Sequence, residues 1–236
     1  MISSFLIKAI GVYSIIFLIF LSIAILGSDV PDNDKAIIKM AITLVVVWVI
    51  IIGSLMRKYR DNIKSLIQKI TAPYPLVFFL FSLSLILLEE LITVTLTNLA
   101  PLFGGEIGKS FIAASTNYFH VIFFHSAIMF IPFLLAWSYL LTKYNFNTNQ
   151  IFILFGFLGV IAESFISPTA FIAGFWVFVY GLMVYLPAYC LPERSHLKKP
   201  NILSYVLAII LPLIFSIPFF FLVMNLRELF SIVLFA

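Results

Sequence analysis

Apolar runs long enough to cross a bilayer recur along this chain from end to end. A spanning helix needs roughly 18–20 consecutive apolar residues, and segments near residues 4–27, 36–56, 74–98, 111–141, 150–167, 170–191 and 201–224 reach or approach that length. With 63% apolar and only 10% charged residues in 236, the chain cannot wrap those runs inside a water-soluble core of its own size. The expected fold is therefore all-α: a polytopic integral membrane bundle of about seven transmembrane helices, forming a single domain over residues 1–236. The first run is longer than a signal-peptide core and lacks a small-residue cleavage pattern, so it is read as a retained helix.

Charge distribution sets an expected orientation. Arg57 to Pro73 carries five basic residues against one acid, and Pro192 to Pro200 three against one. The positive-inside rule places both loops in the cytoplasm. Ser28 to Lys35, with three acids and one lysine, falls opposite. The expectation is a prokaryotic cell membrane, with the N-terminus cytoplasmic and the C-terminus outside. The net charge of +4 is then an orientation signal and not a nucleic-acid footprint, so the expected partners are membrane lipid, a lipid-embedded substrate or a partner membrane subunit, and no nucleic acid. Ile63, Leu66, Ile67 and Ile70 fall at helical spacing among the charges of the first basic loop, so an amphipathic surface helix and an ordinary loop are both open there. The single Cys190 excludes a disulfide within the chain and a cysteine metal cluster.

Glu89 and Glu90 interrupt the third run side by side. A carboxylate in hydrocarbon costs at least about 2.5–3.5 kcal/mol, so residues of this kind mark function by default. At about 1.5 Å per residue, they lie roughly 23 Å from the start of their helix. The same arithmetic on the next two helices brings His120, His125 and Glu163 toward that layer. Neighbouring antiparallel helices pack together, so a common Glu/His site is expected in the outer half of the bilayer. Gly156 and Gly159 sit seven and four residues before Glu163, a small-residue strip that lets a neighbour approach closely.

Helical geometry sorts these residues. Positions five apart diverge by about 140°, so His120 and His125 cannot both point at one centre on a regular helix. His120 shares its face with Asn117 and is preferred. Glu89, Glu90 and His120 are the catalytic candidates; Asn117, Thr93 and Tyr180 are candidates for substrate contact; Glu90, His120, His125 and Glu163 are the candidate metal donors. Three carboxylates in a low-dielectric layer need protons, a cation or a charged substrate group to offset them. A divalent ion such as Zn²⁺ held by Glu and His would activate water for hydrolysis, whereas proton or cation exchange would make the protein a coupled carrier. A membrane scaffold subunit is the remaining class.

Paired glutamates on one helix, followed thirty residues later by His120, resemble the CAAX-type prenyl-protein endopeptidases. The resemblance implies Glu89 or Glu90 as the base that activates water and the histidine as its partner. The chain departs from that family's EExxxR pattern at Val94, lacks a Phe four residues before either histidine, and has no later HxxxN or HxxxD. The leading expectation is a metal-dependent intramembrane hydrolase acting on a membrane-embedded substrate, with a proton- or cation-coupled transporter as the competing class.

Overall fold

Helices account for almost all the regular structure. The computed structural model describes residues 2–165, 168–230, 232 and 234. Helix α1 covers Ile2–Leu26. Helix α2 (Asp32–Leu44) continues through a π-helical stretch, Val45–Ile52, into α3 (Gly53–Ile67). Then come α4 (Tyr74–Asn98), α5 (Tyr118–Phe124), α6 (Ser126–Leu141), α7 (Thr148–Ser164), α8 (Phe175–Tyr189) and α9 (Ile202–Leu229). Among the described residues there is no strand, only an isolated bridge between Tyr144 and Lys198.

Four stretches are long and apolar enough to cross a membrane: Ser3–Leu26, Asp32–Ile67, Tyr74–Asn98 and Ile202–Leu229. Helices α5 and α6 make a fifth if they are taken as one span bent by 41°. The expected count of seven is not reached, because α7 and α8 have only 17 and 15 residues, or about 26 and 23 Å at 1.5 Å per residue. The expected spans 150–167 and 170–191 are thus shorter helices, and residues 166 and 167 lie outside the described residues. The basic stretch after residue 56 is the continuation of α3 and not a separate surface element, since no Pro or Gly breaks the chain between Gly53 and Pro73.

Helix ends follow local chemistry. Pro73 precedes α4 and Pro75 occupies its first turn, where a missing N–H costs nothing. Asn147 opens α7 and Asn201 opens α9 with reciprocal capping boxes to Gln150 and Ser204. The C-terminal carbonyl of α6 is held by a side chain from far along the sequence: buried Arg194 donates to Leu141 O at 3.3 Å and to Phe146 O at 2.8 Å. That burial lowers the Arg194 pKa by desolvation.

The tightest pairing is α7 on α8, and glycine makes it possible. A Cβ at Gly156 would stand 2.4 Å from the Val177 carbonyl oxygen, and one at Gly159 would stand 2.2 Å from Tyr180 Cγ. The small-residue strip read from the sequence is therefore where the backbones approach. Helix α4 packs against both α6 and α8, and its buried stripe runs from Phe78 through Ser82, Leu85 and Ile86 to the two glutamates. Between α4 and α5 the chain forms a strap. Ser110 Oγ donates to Asn33 Oδ1 at 2.8 Å, while the Ile112 and Ala113 amides donate to Thr97 Oγ1 at 3.1 and 3.0 Å. Gly104 and Gly108 turn this strap with φ of +89° and +84°, a region that favours glycine.

Candidate functional site

Adjacent residues on a helix point about 100° apart, yet both glutamates of α4 are buried, Glu89 at 4% and Glu90 at 5% exposure. The sandwiching of α4 between α6 and α8 explains this, because each carboxyl group finds a packed neighbour. Glu163, one residue from the end of α7, comes into electrostatic range of both. The three carboxyl groups therefore lie within electrostatic range of one another.

Tyr180 of α8 ties the cluster together. Its hydroxyl donates to Glu163 Oε2 at 2.8 Å, and it also lies within range of Glu89 and Glu90. Its ring is fixed on one side by Gly159, which leaves room for it and for nothing larger. On other sides it stacks on Trp176 (5.8 Å, 23°) and meets Phe130 (5.8 Å, 41°). Thr93, one turn beyond Glu89 and Glu90, donates to the Glu90 carbonyl at 3.0 Å and stands 3.5 Å from its Oε2. Glu89 makes no hydrogen bond among the described residues. None of the three glutamates pairs with a basic side chain among the described residues.

The segment opposite Glu90 departs from the sequence reading. A single helix was expected from residue 111 to 141. Instead the strap runs to Asn117, α5 spans only Tyr118–Phe124, and the helix breaks at His125 (φ −144°, ψ −116°) before α6 begins at Ser126. A break leaves carbonyls at one end and N–H groups at the other without helical partners. Arg227 from α9 satisfies one of the first set, its Nε donating to the Phe124 carbonyl at 2.6 Å. On the other side of the break, the Ser126 hydroxyl lies within hydrogen-bonding range of the Glu90 carboxyl. His125 Nδ1 stands 3.1 Å from the same Ser126 Oγ. Tyr118 sits nearby, donating to Leu87 O at 2.7 Å within electrostatic range of Glu90.

The structure thus brings Glu89, Glu90, Thr93, Glu163 and Tyr180 into one cluster and leaves two expected members out. His120 is half-buried with its ring edge-on to Phe124, 6.2 Å between centroids. Asn117 is exposed and caps α5 by accepting from the Phe119 amide at 2.9 Å. His125, ranked below His120 on a regular-helix argument, reaches the cluster through Ser126, because the break removes the 140° relation on which that ranking rests. Ser126 and Tyr118 were missed. The only local signal for Ser126 is its residue type, a common helix-opening one; no Gly or Pro marks the break.

The expected metal donor set is not assembled. Among the described residues no three His, Cys, Asp or Glu side chains are arranged to hold a metal ion. The contact His120 makes is with Phe124, so the groups that gather are carboxyl and hydroxyl oxygens with the His125 ring at their edge. What this arrangement can do is accept, hold and pass protons beside a hydroxyl, in a layer shielded from water. The chain matches no known family model, no curated protein and no solved structure.

Proposed function

We propose that this chain is a membrane-embedded hydrolase acting on a lipid-embedded substrate, with the Glu89, Glu90 and Glu163 cluster as its acid and base groups. One observation carries the reading: a buried carboxyl group, Glu90, faces a hydroxyl at a break in the opposing helix. Uninterrupted helices would serve a purely structural polar contact equally well. A break exposes backbone groups that a reacting carbonyl can use, and a carboxylate beside it is a general base. Glu90 takes the proton in this scheme. Tyr180 and Glu163 orient and hold the remaining charge, and no step runs through a metal ion.

The test is turnover in proteoliposomes, with acyl esters and membrane-spanning peptides as substrates, for wild type and for Glu89→Gln and Glu90→Gln. The expected outcome is hydrolysis by the wild type and its loss in Glu90→Gln, with thermal stability kept or raised because a buried acid has been neutralised. Absence of any wild-type turnover on both substrate kinds would refute it.

A second reading, a proton- or cation-coupled carrier, is favoured by a different observation. The three glutamates lack a basic partner among the described residues, and they adjoin a discontinuous helix, which is how coupling sites in carriers are built. Ion flux that requires Glu90, in the absence of hydrolysis, would select this reading.

A further inference from the structure

Ser126 is a hydroxyl that stands between two groups able to take its proton, at the start of a helix. Glu90 lies on one side, and His125 Nδ1 is 3.1 Å away on the other. It is also the first residue of α6, a 16-residue helix whose opening N–H groups have no carbonyl four residues back to accept from them. Three features therefore meet at one place: a hydroxyl, a carboxyl group able to act as its base, and backbone donors that can hold a developing negative charge.

We propose that Ser126 is the nucleophile of an acyl-transfer site whose substrate is a carboxylic ester with an apolar acyl chain, as in a membrane lipid. This rests on the hydrolase reading above and adds a covalent intermediate to it. The walls of the site argue for an ester of this kind. Phe130, one turn after Ser126 on α6, and Tyr180 with Trp176 stacked on it make the surroundings of the acids apolar and aromatic, and among the described residues no Lys or Arg forms an ion pair with Glu89, Glu90 or Glu163, Arg227 being engaged by the Phe124 carbonyl beside His125.

The steps balance with the residues present. The Ser126 O–H proton passes to the ionised Glu90 as Oγ forms a bond to the ester carbonyl carbon, and the C=O electron pair becomes an oxyanion beside the α6 amides. The oxyanion collapses, the C–OR bond breaks, and the alcohol leaves with the proton from Glu90. A water molecule then gives a proton to Glu90 and attacks the acyl–Ser126 carbonyl. The carboxylic acid departs, and the proton returns to Oγ.

The experiment is labelling of the detergent-solubilised full chain with a long-chain alkyl fluorophosphonate, followed by mass mapping of the modified peptide, alongside hydrolysis of a fluorogenic long-chain acyl ester in proteoliposomes. The expected result is stoichiometric label on Ser126, none in Ser126→Ala, and labelling at least about 100-fold slower in Glu90→Gln, the lower end of what a general base contributes. Mapping in the wild type does not depend on how any variant folds. Ester or peptide hydrolysis that needs Glu90 while Ser126 stays unlabelled would overturn the nucleophile and leave the hydrolase reading standing on water activated by Glu90. Neither label nor hydrolysis would overturn both.

Discussion

Gly159→Ala is the substitution that most directly couples packing to the site. A Cβ at this position would stand 2.2 Å from Tyr180 Cγ, 2.3 Å from Cδ2 and 2.7 Å from Cβ. Ordinary contact begins near 3.4 Å, so Cγ must retreat by the difference, 1.2 Å. Two of the three clashing atoms lie within one bond of Tyr180 Cβ or are that atom, so rotating the ring does not clear them; α8 itself must shift. A movement of that size stretches the 2.8 Å bond from Tyr180 to Glu163 beyond hydrogen-bonding reach. Overpacking of this kind costs about 1–3 kcal/mol, here toward the upper end, and the lost bond adds about 1 kcal/mol. Alanine's better helix propensity returns about 1 kcal/mol. The net expectation is a loss of about 2–3 kcal/mol. Gly11→Ala is the control, since its added Cβ would meet only Phe178 Cζ, at 3.4 Å; its stability should be unchanged or higher by up to about 1 kcal/mol. Both are read by unfolding in mixed detergent micelles followed by tryptophan fluorescence, with Trp176 stacked on Tyr180 as a reporter next to the perturbation. A Gly159→Ala protein as stable as the wild type would refute the close α7–α8 approach and the placement of Tyr180 with it.

Tyr180→Phe keeps the ring stack and removes only the hydroxyl, so half-buried Glu163 loses its donor; the expected cost is about 1 kcal/mol, and unfolding measurements that find no change would show that Glu163 does not depend on this bond. Thr97→Val leaves two strap amides, Ile112 and Ala113, without their acceptor, so hydrogen exchange at both should accelerate by at least about tenfold, at about 1 kcal/mol or more per lost bond; unchanged exchange would mean that the strap is held elsewhere. Glu106 is held below its ordinary carboxylate range by the Lys109 ammonium at 2.9 Å. Because its folded pKa is the lower one, the pairing supports the strap above the unfolded value of about 4.3 and is lost as pH falls through the folded value. A ¹³C titration of the Glu106 carboxyl should give a midpoint below about 4.3 that Lys109→Gln moves back up, and equal midpoints in the two proteins would remove the pairing.

Helix α4 was legible to the residue, Tyr74 to Asn98, because proline stands at its start and the polar Thr95, Thr97 and Asn98 lead to Pro101 just past its end. The Gly156 and Gly159 strip was legible for a similar reason: residue size at a fixed spacing states how close a neighbour can come, whichever neighbour it is. The count of spans was not. Hydropathy measures how long a run is, and both 150–167 and 170–191 are apolar across their length, but the chain leaves helical geometry before the run ends. The segment 111–141 failed in the same way at its other end. Its first seven residues are apolar or small enough to continue a helix, yet they form the strap, because Thr97 and Asn98 offer their amides and carbonyls better partners.

That single displacement accounts for most of what the sequence left hidden at the site. Seven residues along a helix amount to about 10 Å, so the depth arithmetic does not hold for His120 on α5, whereas α4 and α7 begin close to where the sequence says they do. The break at His125 is still less visible, since its two halves are completed by residues distant in sequence, Arg227 on the carbonyl side and Glu90 on the hydroxyl side. A regular helix through 118–141 would satisfy its own backbone and have no use for either. The pairing of a cationic cap with one half and a carboxyl group with the other makes the break a built feature of the bundle, and it sets Ser126 against the acids that periodicity alone would have matched with a histidine.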